Sequence, residues 1–216
     1  MHFKTELNLV IITLLLALLF TPQLKAATAF EGGYSGLIKV PTADVLTTNR
    51  ATIGYQHLGE GDLALLNYGV YNNFELGLSN YWYEHSSDDD LNLNAKVQLL
   101  AEDKDYPAVA LGVMNEDLYV AASRDLNYHG LRGHIGIGDD QLDGLFVGVS
   151  KTINPVSISK MKDNNFQMPV TTLMVEYLDH DLNLGAKFKL NSQFDLNVAI
   201  EEMDDLSAGI NFNTKF

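Results

Sequence analysis

The chain has 216 residues, 46% of them hydrophobic and 10% aromatic, with 17 glycines, 5 prolines and a formal net charge of −14; that is enough for one domain, or for a leader plus one domain. It contains no cysteine, which excludes a disulfide framework, a thiolate metal site and a cysteine nucleophile. Acidity on this scale repels nucleic acid and anionic lipid surfaces, so a nucleic-acid partner is not expected.

Residues 1–29 have the three parts of a secretory signal peptide. Lys4 gives a basic start, a nearly unbroken apolar run extends from Leu7 to Phe20, and Pro22 ends it before Ala26, Ala27, Thr28 and Ala29. Ala27-Thr28-Ala29 offers a small-residue cleavage site before Phe30, and cleavage after Ala26 is the competitor. The apolar run is shorter than the ~20 residues a spanning helix needs. No later segment could cross a membrane as a helix, so a membrane location for the mature chain would require strands. Removing the leader takes away Lys4 and Lys25 but only one acid, Glu6, leaving the mature chain more acidic still.

Residues 30–48 form a Gly-rich N-terminal segment, an extended piece followed by a turn around Pro41. From 49 to 216 the pattern becomes monotonous and reads as one β-barrel domain. Strands are expected at 49–58, 62–70, 73–84, 90–100, 107–114, 117–125, 129–138, 143–152, 169–178, 181–190, 193–201 and 205–216, with Asn, Asp, Gly, Ser and Lys clusters between them. In 90–100, Leu91, Leu93, Ala95, Val97 and Leu99 oppose Asn92, Asn94, Lys96 and Gln98. The same parity recurs in 181–190 and 193–201, and in the last segment Leu206, Ala208, Ile210, Phe212 and Phe216 oppose Ser207, Gly209, Asn211, Asn213 and Lys215. Several segments approach the ~9–11 residues of a tilted transmembrane strand. The run Asp90–Lys96 is echoed by Asp181–Lys187, which suggests repeated hairpins rather than two domains.

An even number of strands places both ends of a barrel on the periplasmic side. The turns at 179–180 and 202–204 are then extracellular, and the long, polar, Pro-flanked 153–168 linker falls on the periplasmic side, where short turns are the rule. Phe216, on the apolar parity of the closing strand, is the candidate assembly signal read by the barrel assembly machinery. Tyr68, Tyr71, Tyr81, Trp82, Tyr83, Tyr119, Tyr128 and Tyr177 cluster toward strand ends, as interface girdles do.

Lys96, Gln98, Arg132, His134, Lys187 and Lys189 share the inward parity and are the candidate lumen-lining residues. They could favour anionic or hydroxylated solutes in a channel. Alternatively they pair with inward acids such as Glu75 and Glu201 and fill a narrow barrel. The acidic clusters at 88–90, 102–105, 139–143 and 201–205 read as solvated turns; 139–144 comes nearest to a calcium loop but has Gln141 where Asp or Asn belongs and Ser150 where Glu is needed. No histidine spacing suggests a metal and no nucleophile elbow is present, so neither a cofactor nor an enzymatic activity is expected.

The segment Gly33-Tyr34-Ser35-Gly36-Leu37-Ile38-Lys39-Val40-Pro41-Thr42-Ala43-Asp44-Val45-Leu46, followed by Ile53-Gly54-Tyr55, resembles the opening of YjbH-family outer-membrane proteins. The stretches 175–177 and 181–185 are similar to that family's hairpins. The resemblance implies an outer-membrane barrel associated with exopolysaccharide production or export, although the chain is short for the family. The expected fold is therefore all-β, an antiparallel transmembrane β-barrel of about 12 strands preceded by a cleaved signal peptide. It would sit in outer-membrane lipid as a polysaccharide-linked export component or a small passive channel. A structural barrel with a filled lumen and a secreted soluble β-sandwich are the alternatives.

Overall fold

A computed structural model describes residues 33–59, 61–83, 89–153 and 169–216. The signal peptide and residues 154–168 of the long linker lie outside the described residues. Twelve strands follow in order: β1 (Arg50–Leu58), β2 (Gly61–Tyr71), β3 (Phe74–Tyr83), β4 (Asp89–Leu100), β5 (Ala108–Met114), β6 (Asp117–Asp125), β7 (Leu131–Gly138), β8 (Gly144–Ile153), β9 (Val170–Leu178), β10 (Asp181–Lys189), β11 (Phe194–Glu201) and β12 (Asp205–Lys215). Each coincides with one of the segments expected from alternation, with ends that agree to within two residues.

Every strand pairs antiparallel with its sequence neighbours, and β1 closes on β12 from Arg50 opposite Lys215 to His57 opposite Ala208. The barrel leaves no free edge, so every strand's ladder is satisfied inside the sheet, as a lipid environment demands. The β9–β10 turn is a two-residue hairpin in which Asp179 and His180 both adopt positive φ (49° and 66°), the backbone that matches strand twist in tight hairpins.

The burial pattern is inverted relative to a water-soluble protein. Leu91, Leu93 and Leu145 on the outer face are 63–66% exposed, while Gln56, Asn197 and Asn211 on the inner face are 0% exposed. Ile53, Leu78, Leu111, Val120, Ile135, Ile137, Leu196 and Ile210 continue the exposed apolar surface around the circumference. Soluble monomers rarely expose apolar patches beyond a few hundred Å², whereas a belt of this kind is what the outside of a transmembrane barrel requires. The chain folds as a closed, 12-stranded transmembrane β-barrel.

Both ends of the barrel domain emerge on one side, here called the terminal side. The connections there are 72–73, 101–107, 126–130, the long 154–169 linker and 190–193. On the far side they are 59–60, 84–88, 115–116, 139–143, 179–180 and 202–204. The longer connections therefore share a side with the termini, and the linker lies where the strand count placed it. Two aromatics expected in the girdles are instead inside. Tyr119 is buried, its ring filling the space left by Gly112, and Tyr81 packs against the interior cluster around Leu63.

Candidate functional site

The barrel is not hollow. Residues 33–47 run into the lumen as a small hairpin, pinned by a bridge between Gly36 and Pro41 and by a hydrogen bond from Leu37 N to Val40 O (2.9 Å). The Tyr34 hydroxyl donates to Lys39 O at 2.6 Å and steadies the tip. Without regular partners, the segment's peptide groups must be satisfied by the barrel wall. Three inward side chains do most of this.

Glu75 on β3 accepts hydrogen bonds from Ser35 N (2.8 Å), from the Ser35 hydroxyl and from Leu46 N (2.7 Å). Glu176 on β9, across the barrel, accepts from Ile38 N (3.0 Å), Lys39 N (2.8 Å) and Val40 N (3.2 Å), and is oriented by Asn183 Nδ2 (3.0 Å). Lys96 on β4 donates to the carbonyls of Ser35, Thr42 (3.0 Å) and Asp44 (2.8 Å) and pairs with Glu75 at 3.2 Å. All three are essentially sealed from solvent. Charged groups at such depth persist when they are matched by partners, and most of the matching partners here belong to the plug, with Glu75–Lys96 and Asn183–Glu176 made within the wall.

The wall is also shaped for the segment. A side chain at Gly77 would strike Gly33 O, one at Gly69 would strike Thr47 O and Leu46 O, one at Gly148 would strike the Leu37 side chain, and one at Gly185 would meet Ile38. Glycine inside a strand marks close approach of another backbone. On the far side, plug residues Leu37 and Ile38 join Leu58, Leu63, Leu65 and Met174 in one apolar cluster. Tyr34 and Val40 join Met114, Tyr119, Phe146 and Leu142 in a second, with Leu142 supplied by a 3-10 turn at Asp140–Leu142. The far half of the lumen is packed around these two clusters.

The terminal half is an open, polar vestibule of about 820 Å³. Arg132 on β7 makes a bidentate pair with Asp44 of the plug (2.9 and 2.7 Å) and also binds Glu102. Gln98 donates to Ala43 O at 2.7 Å. His134 lies between Ser123 (2.8 Å) and Ser150 (3.0 Å), and Ser123 Oγ in turn accepts from Ala43 N (2.9 Å). This Ser–His contact has no carboxylate behind the histidine and is buried beneath the plug, so it lacks the parts of a nucleophilic triad. Lys187 and Lys189 line the vestibule with Arg50, Lys215 and Asp195.

The six lumen candidates therefore all face inward but divide by role. Lys96, Gln98, Arg132 and His134 belong to the plug's seat, the last through Ser123, while Lys187 and Lys189 border the open cup. Of the expected acid partners, Glu75 pairs with Lys96, whereas Glu201 pairs with Lys39 of the plug at 3.3 Å and not with one of the six. The plug itself and the role of Glu176 went unread in the sequence. The signal that could have revealed them is the set of glycines at inward strand positions, where a barrel of this width would otherwise place filling side chains. Among the described residues, no group of three or more His, Asp or Glu side chains is arranged to hold a metal.

No family model and no curated protein matches the sequence. Among solved structures, the chain is similar to a KdgM porin at 10% identity and a TM-score of 0.47, covering 76% of this chain and 98% of that one. It is similar to the same porin in complex with disordered oligogalacturonate at 11% identity and a TM-score of 0.49, over 77% and 99% of the two chains. It is also similar to the Acinetobacter baumannii outer membrane protein Omp33, at 8% identity and a TM-score of 0.42 over 77% and 97%.

Proposed function

We propose that the protein is a non-enzymatic outer-membrane channel held shut by its own N-terminal segment and opened when that segment withdraws toward the terminal side. One observation carries this reading: residues 33–47 close the lumen, yet they are held largely through hydrogen bonds and ion pairs with the wall. A polar seat can exchange its partners for water. The second reading, a permanently filled structural barrel, draws support from the two apolar clusters that grip the plug's tip.

Planar-bilayer recording separates them. The native protein should give a closed trace with rare openings, and Glu75→Ala/Glu176→Ala should open it persistently. A large steady conductance from the native protein would overturn the plug as a gate. A closed trace from the double variant, with residues 33–47 still protected from protease, would favour the filled barrel. The link to exopolysaccharide rests on the resemblance of Gly33–Leu46 to the YjbH-family opening. It predicts less extracellular polysaccharide when the gene is lost. Outer-membrane lipid and the barrel assembly machinery are the partners this reading requires.

A further inference from the structure

The vestibule concentrates positive charge in a protein that is strongly acidic overall. Five of the chain's fourteen Lys and Arg residues line it: Arg50, Arg132, Lys187, Lys189 and Lys215. Three acids line it too, but two of them, Asp44 and Glu102, are already bound to Arg132. The remaining four cations fall on one arc of adjacent strands, β10, β12 and β1, with Asp195 of β11 as the only acid among them in the described residues. Arg50 and Lys215 are direct cross-strand partners. Like charges in that relation destabilise a sheet, so this pair works against the closing seam unless an anion is shared between the two side chains, whereas Lys189 lies opposite Asp195.

The remaining lining narrows the class of anion. Asn72, Gln98, Gln193 and Asn213 supply amides, and a row of Thr and Ser supplies hydroxyls. Asp195 accepts from Asn213 through Oδ2 (2.8 Å), while its buried Oδ1 has no hydrogen-bond partner. The amides and hydroxyls around the cup fit an anion that also carries hydroxyls. Among the described residues no aromatic ring lines the cup to offer a neutral sugar a stacking platform. The volume lies within the range of small-molecule sites.

We infer that the vestibule is a binding site for a small polyanionic, hydroxyl-bearing solute arriving from the side of the termini, with Arg50, Lys187, Lys189 and Lys215 as its charge contacts. The site is read from the barrel with the plug seated, whose residues Asp44–Thr47 form part of the lining, and its charge contacts all lie on the wall.

The test is calorimetric titration of the folded, detergent-solubilised barrel with three probes: a hexauronate, tripolyphosphate and uncharged maltohexaose. The hexauronate should bind, more weakly as salt rises, and maltohexaose should not. Stronger binding of tripolyphosphate than hexauronate would overturn the requirement for hydroxyls. Replacing the exposed arc by Arg50→Gln/Lys189→Gln/Lys215→Gln should weaken hexauronate about tenfold, the scale of several partly exposed ion pairs, without disturbing Arg132 or the plug. Asp195→Asn should tighten it, a gain that a merely structural role would not produce. Equal affinity for hexauronate and maltohexaose, no binding of either, or an unchanged affinity in the triple variant would each overturn the site. Because binding is read without conductance, a barrel that never conducts leaves this result interpretable.

Discussion

At the scale of single residues, the molecule depends on a few charges placed where charges are costly. Lys96 sits inside a transmembrane barrel with three carbonyls and a carboxylate as its partners. Removing one member of such a buried set costs about 3–5 kcal/mol. Lys96→Met is therefore expected to lower stability by that order in urea titrations of the vesicle-embedded protein; an unchanged midpoint would mean the plug is not anchored there. The outer face carries the opposite expectation. Leu93 on β4 is 66% exposed, and Leu93→Arg should destabilise the lipid-embedded barrel by about 2–4 kcal/mol if the position lies near the bilayer midplane. In a soluble sandwich, the same change at an exposed site would be nearly neutral, so the measurement also decides between those folds.

At the scale of elements, strands were legible and their occupant was not. Alternation such as Leu91, Leu93, Ala95 against Asn92, Asn94, Lys96 is a local signal that survives without knowledge of partners, and it fixed both the position and the facing of β4. The inward residues followed from the same parity. The plug has no such signal. Leu37, Ile38 and Val40 show no periodicity, and the carboxylates that hold the segment lie 40 and up to 138 residues away along the chain. Tyr119 was misassigned for a related reason: its position near a strand end suits a girdle, but the absent side chain of Gly112 gives its ring a place inside. The glycine seats give a test at this scale. Gly77→Val places a side chain against the Gly33 backbone, which cannot rotate away as a side-chain tip could. It should free the segment, raising conductance and exposing residues 33–47 to protease, while the barrel keeps its heat-modifiable migration on gels. Retention of a protected segment would show that the wall yields instead.

At the scale of the whole molecule, three asymmetries run along one axis. The far half of the lumen is packed around the plug's tip, and the terminal half is polar and open. The far-side turns contain several acids and no Lys or Arg, whereas the vestibule on the terminal side is basic. The longer connections also gather on the terminal side. The seam that completes this body is β1 against β12, where Phe216 N donates to Asn49 O at 2.9 Å just beyond the last strand. Removing Phe216 is expected to reduce the amount of assembled barrel in the membrane fraction, with the residual molecules folded normally; undiminished levels would count against its role as an assembly signal.

The attachment of the plug directly ahead of β1 imposes an order of events on the growing barrel. Its contacts with β3 and β4 can form as soon as the first hairpins exist, but its contacts with Glu176 wait for β9, more than a hundred residues later. The seam joins β1 to β12, the strand furthest from it along the chain. Residues 33–47 are thus in position to act as a mandrel around which successive hairpins wind, covering Glu75, Lys96 and Glu176 before the wall turns them away from water. The segment that fills the finished barrel would then first have served as the form on which the barrel was built.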